Sequence, residues 1–281
     1  MNPHLWGIIV ATRGGLRSGC RPTLALRPDR HALFRRTLER AARLITPDRL
    51  VAVLARDHSA SYDTRLPGAP AVRRVLQPAW RGTAPALFLP LLRVAHEDPH
   101  ATVAVFPADH VVDGEARFMS YVARAVEALA QRPDLVFVIG AQPSGGSADR
   151  SWIEPGGTVP GLEPWAVRSV RRFVTRRAGP EPPLDMDEAL VNTRVVVGRV
   201  QRLLALGRRS LPDVLESLEP LQTALGRPEE ALLCDAVYEQ MPYADLAHAL
   251  FVRPQATAVV TAAGVRLRPQ ASVPLEPALA G

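Results

Sequence analysis

The sequence predicts an α/β fold, an open and mostly parallel β-sheet covered by helices on both faces. Three observations carry that prediction. From residue 5 to residue 139, short apolar runs alternate with stretches of helical periodicity, the order expected of parallel strands joined by crossover helices. The runs are apolar throughout rather than alternating with polar residues, which marks strands buried on both faces. The length of 281 residues and the apolar fraction of 47% suit one large domain with a sizeable core.

Each element follows in order. Leu5–Ala11 (LWGIIVA) is a buried first strand, ending in the loop Thr12-Arg13-Gly14-Gly15. His31 to Leu44 has apolar residues at helical spacing, with Pro47-Asp48 as its stop. Leu50–Leu54 and Val72–Leu76 are the next two strands. Gly82-Thr83 precedes a helix over Ala84–Val94, and Thr83 is a residue type that caps helix N-termini. Strand Ala101–Phe106, helix Glu115–Ala130 and strand Leu135–Ile139 complete the alternation. A Ser/Gly/Asp-rich loop at 144–149 then leads to Trp152-Ile153-Glu154, followed by β-like runs at Val167–Thr175 and Ala189–Val197. Residues 200–250 are mainly helical, interrupted at Pro212, Pro220, Pro228 and Pro242. A short strand, Ala256–Thr261, is placed to rejoin the sheet. Residues 266–281, rich in Pro and Ala, form a loose tail to a domain spanning 1–265.

Composition narrows the function classes. The formal net charge is +6, and all 34 basic side chains are arginines, for the sequence contains no lysine. The arginine pairs at 35–36, 73–74, 171–172, 176–177 and 208–209 lack the interleaved aromatics that stack on bases, which argues for solvated faces over a nucleic-acid surface. Two cysteines, Cys20 and Cys234, provide neither a disulfide framework nor a metal-ligand spacing, as expected in a reducing cytoplasm. The apolar stretch at 5–11 is too short to span a membrane.

Open parallel sheets bind ligands beyond the carboxyl ends of their strands. Two such ends stand out here. One is the loop 12–23, and the other is Pro107-Ala108-Asp109-His110. An aspartate at such an end, beside a basic glycine loop, is placed to hold Mg²⁺ on nucleotide phosphates. An aspartate there also commonly caps the following turn.

Seven segments, in order, resemble the sugar-phosphate nucleotidyltransferase family, in particular the bacterial mannose-1-phosphate guanylyltransferases. They are GIIVATRGGLR (7–17), RPTLAL (21–26), LQPAWRGTAPALFLPLL (76–92), VAVFPADHVV (103–112), SWIEPG (151–156), VRRFV (170–174) and ALVNTRVVV (189–197). The resemblance implies a Rossmann-like nucleotidyltransferase (GT-A-like) fold. It also implies the reaction of GTP with mannose 1-phosphate to yield GDP-mannose and pyrophosphate, with Mg²⁺ as cofactor. Carried over residue by residue, it assigns Arg17 and Arg176 to phosphate charge in catalysis. Ala11, Gly15, Gln77, Gly82 and Thr83 fall at nucleotide-binding positions, Glu154 and Asn192 at sugar-binding positions, and Asp109 at a metal-binding position. Arg17 also reads as a surface arginine, Glu154 and Asn192 as hydrogen-bonding supports of the pocket, Thr83 as a helix cap and Trp152 as packing. His110 joins no constellation visible in the sequence.

Several positions depart from the family's pattern. Its paired glycines become Thr12 and Arg13, and its first lysine becomes Thr23. A second lysine aligns with Arg176, a planar fork in place of a compact charge. A Tyr-Gly pair becomes Arg150-Ser151, and no aspartate occurs from Leu246 to Gly281, where the family's second metal ligand lies. Loss of one preorganised donor typically costs about 100- to 1,000-fold in rate. The expectation is a catalytically impaired family member that binds GTP or a GDP-sugar, with a regulatory role beside an active paralogue. The alternative is an active guanylyltransferase that uses arginines in place of the lysines on GTP and a sugar 1-phosphate.

Overall fold

The computed structural model describes residues 2–11, 29–143, 151–175, 185, 187–246 and 256–268. The apolar runs form strands as predicted. These are β1 (Leu5–Ala11), β2 (Leu50–Ala55), β3 (Arg73–Gln77), β4 (Thr102–Pro107) and β6 (Val136–Ala141). Between them lie helices α1 (Asp29–Ala41), α2 (Thr83–Glu97) and α3 (Glu115–Gln131). A short strand β5 (Val111–Asp113) follows β4 directly. Beyond β6 come β7 (Ser151–Thr158), β8 (Val167–Thr175) and β9 (Leu190–Arg199), then helices α4 (Val200–Ser210), α5 (Pro212–Leu218), α6 (Leu221–Ala224) and α7 (Glu230–Gln240). Strands β10 (Thr257–Ala262) and β11 (Arg266–Arg268) end the described chain.

Nine strands form one mixed sheet in the order β3-β2-β1-β4-β9-β6-β10-β8-β7. Strands β3, β2, β1 and β4 are mutually parallel, and β10 runs parallel to β6. Strand β9 enters between β4 and β6 antiparallel to both, so its first residues lie at the carboxyl ends of its neighbours. That reversal puts residues 190–194 at the carboxyl edge of the sheet, where open parallel sheets bind ligands.

Alternation along each strand separates two cores. On one side, Ile9, Ala52, Phe106 and Phe137 pack under Phe34 and Leu38 of α1 and Phe118 and Val122 of α3. On the other, Ile8, Val10, Val53, Val105 and Val138 pack under Leu87 and Phe88 of α2, Leu203 of α4, Leu215 of α5 and Tyr238 of α7. The prolines act where the sequence places them. Pro212 opens α5, where its missing N–H leaves no hydrogen bond unmade. Pro220, Pro228 and Pro242 fall outside the helices.

Three expectations need revision. Helix α1 spans Asp29–Ala41 rather than 31–44, its last residues winding into a turn. Ser151–Thr158 is a strand, which Pro155 and the adjacent glycines disguise; the ladder with β8 shifts register on either side of Pro155 to accommodate it. Residues 266–268, assigned to the tail, pair with Val111–Asp113 beside the Asp109 loop. No helix among the described residues is long and apolar enough to cross a membrane.

Candidate functional site

The candidate site lies along the carboxyl ends of β1, β3 and β4 and the start of β9. Ala11 closes β1, buried and paired with Leu54. The loop after it, with Thr12, Arg13, Gly15, Arg17 and Thr23, lies outside the described residues, as does Arg176. After β4, the Ala108 N–H donates to the Val10 carbonyl at 3.1 Å, which fixes the Asp109 loop against β1.

Asp109 faces a cation of the protein itself. Arg194, on β9, brings Nη2 to 3.9 Å from Asp109 Oδ2 and donates from the same nitrogen to His110 Nε2. Arginine only donates, so His110 Nε2 is the acceptor, and His110 Nδ1 lies 3.1 Å from Asp109 Oδ1. All three side chains are largely buried, at 13%, 19% and 9% exposure for Arg194, Asp109 and His110. Arg194 is held with φ at +58°, a left-handed conformation that costs a residue with a Cβ about 1–2 kcal/mol. The conformation falls where the β6–β9 register shifts between Val138 and Gly140. Its neighbours fasten it there. Asn192 Oδ1 accepts from the Arg194 N–H at 2.8 Å, while Thr193 Oγ1 donates to the Ile139 carbonyl at 2.7 Å and accepts from the Val195 N–H.

This environment tests whether the residues present suit a divalent ion. Mg²⁺ binds carboxylate oxygens at about 2.0–2.1 Å, close enough here to confront the guanidinium directly. Among the described residues, no group of three or more His, Cys, Asp or Glu side chains comes together to hold a metal. Strand β11 pairs with β5, the strand that follows this loop, and its residues 266–268 include no carboxylate. A resident divalent ion does not fit these groups.

The two sugar-binding expectations are also engaged internally. Asn192 is 3% exposed, its oxygen spent on the Arg194 backbone and its amide nitrogen 3.5 Å from Ser151 Oγ. Glu154, 12% exposed on β7, accepts from Arg172 Nε at 2.5 Å and from Arg171 Nη1 at 2.8 Å. The Arg172 hydrogen bond above all, with Arg171 beside it, holds the Glu154 carboxyl below its ordinary range.

At the end of β3, Gln77 is buried and donates from Nε2 to the Tyr238 hydroxyl at 3.1 Å. Burial pushes the Tyr238 phenol well above its ordinary value, so the hydroxyl stays protonated. Gly82 adopts φ of +93°, and a Cβ there would collide with the Ala244 carbonyl. Around it, the Ala244 N–H donates to the Arg81 carbonyl and the Ala84 N–H donates to the Ala244 carbonyl, each at 3.0 Å. Arg81 itself donates to the carbonyls of Tyr238 and Glu239, at the end of α7. Thr83 does not cap α2, whose N-cap is Gly82; its hydroxyl lies 3.3 Å from Asp245 Oδ1 and accepts from the Leu246 N–H at 2.6 Å. Three positions that the resemblance assigns to nucleotide binding thus share one latch between residues 77–84 and the segment 238–246.

The structure therefore gathers Asp109 and Asn192 around one residue, Arg194. It places Gln77, Gly82 and Thr83 together at the edge of the sheet, and sets Glu154 on the β7–β8 ladder. Sequence reasoning missed Arg194, although one signal was present: it is the one charged residue in the β-like run ALVNTRVVV. The partners of Glu154 were missed because a cross-strand ladder assembles them.

No family model matches the chain. In sequence it is 25% identical over 238 residues to the alginate biosynthesis protein AlgA of Pseudomonas fluorescens, covering 82% of this chain and 48% of that protein. It is 23% identical over 192 residues to the mannose-1-phosphate guanylyltransferase of Escherichia coli, covering 66% and 41% respectively. The chain spans less than half the length of these curated relatives. The crystal structure of a mannose-1-phosphate geranyltransferase from Thermus thermophilus superimposes with a TM-score of 0.70, covering 94% of this chain and 75% of that one at 23% identity. A mannose-6-phosphate isomerase from Helicobacter pylori gives 0.64, covering 93% and 99% at 16% identity. At these identities the structural likeness concerns the fold, and the sequence likeness rests on the curated relatives. The chain has the Rossmann-like nucleotidyltransferase fold, and its sequence is similar to those of the sugar-phosphate nucleotidyltransferases.

Proposed function

We propose that this protein binds a guanine nucleotide or GDP-sugar at the carboxyl edge of its sheet and transfers nucleotidyl groups poorly or not at all. A regulatory role beside an active paralogue then follows as its use. The similarity to a mannose-1-phosphate guanylyltransferase supports the ligand class. The contact of Arg194 with Asp109 and His110 carries the reading of impairment. In the full reaction, an oxygen of the sugar phosphate attacks the α-phosphorus in line, and the bond to pyrophosphate breaks. Charge that builds on the transferred group needs preorganised cations and donors. Here the acidic group at that edge already answers to an internal arginine, and Glu154 and Asn192 serve neighbouring protein groups.

Incubation with GTP, Mg²⁺ and mannose 1-phosphate is expected to release no pyrophosphate above an enzyme-free control, whereas GTP or GDP-mannose raises the melting temperature. A ligand at 100 times its dissociation constant stabilises by about 2.7 kcal/mol. Sustained pyrophosphate release would instead establish an active enzyme working with arginines in place of the family's lysines. No thermal shift with any nucleotide would remove the binding role as well.

A further inference from the structure

We propose that Arg194 is a built-in cation that replaces a divalent metal ion at Asp109, so that this edge of the sheet receives a phosphorylated ligand without Mg²⁺. Its ligand class rests on the nucleotide reading above; its relation to the metal does not.

Three observations converge on Arg194. Its backbone adopts a left-handed conformation that favours glycine, inside a strand and at a register shift. Such outliers persist only where the surroundings over-determine them, and here Asn192 and Thr193 do so with three hydrogen bonds. Its charged side chain is 13% exposed in a buried strand, a costly position for a charge without a partner. The guanidinium is directed at the loop after β4, against Asp109 and His110. A strained backbone, a buried charge and an acidic partner at a strand's carboxyl end together describe a placed cation. A guanidinium in this position cannot dissociate as a metal does, and it suits phosphate geometry. The Asp109 carboxylate then orients Arg194, and a divalent ion has no reason to enter.

The first test uses the full chain and metal salts alone. The melting temperature of the wild type is expected to stay flat as MgCl₂ or MnCl₂ rises through the millimolar range. Arg194→Gly, which suits the left-handed backbone, is expected to acquire a saturable rise of about 3–5 °C at ten times its dissociation constant. Arg194→Gly combined with Asp109→Asn should lose that rise. Loss of the free Mn²⁺ signal in electron paramagnetic resonance reports the same binding directly. Arg194→Asn also tolerates the left-handed conformation, and it takes the place of the glycine variant if the latter does not fold. An Asp109-dependent rise in the wild type overturns the proposal, and so does a folded Arg194 variant that binds no metal.

A second arm adds GTP. Its stabilisation of the wild type should be equal in Mg²⁺ and in EDTA, and should need Mg²⁺ in Arg194→Gly. Stabilisation of the wild type only with Mg²⁺ also overturns the metal-free site. No response to GTP under any condition rejects the nucleotide reading, while the metal titration still decides the role of Arg194.

Discussion

Glu154 illustrates how a single carboxylate couples two strands. It stands on β7 opposite Arg172 of β8, and both of its oxygens accept from arginines. Because its folded-state pKa is lowered, the stabilisation is present above the ordinary carboxylate range and fades as pH falls through the lowered value. Glu154→Gln is therefore expected to cost about 1–2 kcal/mol at neutral pH, the exposed Arg171 adding little. That difference should shrink below about pH 4 in urea titrations followed across pH. Tyr238 offers a second case. Its hydroxyl accepts from the buried Gln77 amide, so Tyr238→Phe leaves a buried donor unmatched and should cost about 1–3 kcal/mol in the same assay.

At the level of elements, the latch between residues 77–84 and 238–246 ties the end of β3 and the start of α2 to the helical layer. Gly82 permits it, since only a residue without a Cβ allows the Ala244 backbone so close at a positive φ. Gly82→Ala combines backbone strain with a steric collision, and is expected to destabilise by about 2–4 kcal/mol. Hydrogen exchange gives a sharper readout, since the amides of Ala244 and Leu246 should lose protection before those of β1 and β4. Strand β9 shows how much of an element its own sequence determines. Its apolar run establishes a buried strand. Its antiparallel insertion between β4 and β6, and the left-handed Arg194 within it, depend on neighbours distant in sequence.

For the whole molecule, the sheet is shared property. Ile8 belongs to one core and Ile9 to the other, so neither helical layer can separate without exposing an apolar face of the strand they share. Thermal unfolding is accordingly expected as one cooperative transition, with near- and far-ultraviolet circular dichroism superimposing. Two separated transitions would show that α4–α7 melts apart from the parallel strands. The missing lysines take on a specific meaning at this scale. Arginine does more than coat the surface: Arg172 binds Glu154, Arg81 closes the latch, and Arg194 supplies the charge at Asp109.

The strand–helix alternation, the two-sided burial, the proline-bounded helices and the family likeness are all legible in the linear chain. These follow from local patterns of period, burial and turn chemistry that a linear string carries. The sequence also located Asp109, Glu154 and Asn192 as residues of interest. What those residues face depends on long-range packing. Arg194 lies 85 positions from Asp109 in the chain, and Arg172 lies 18 from Glu154. A side chain's partner is settled by strand order and register, which form when the whole sheet closes. The same carboxylate serves a metal or an arginine according to which strand arrives beside it, and here β9 brings an arginine.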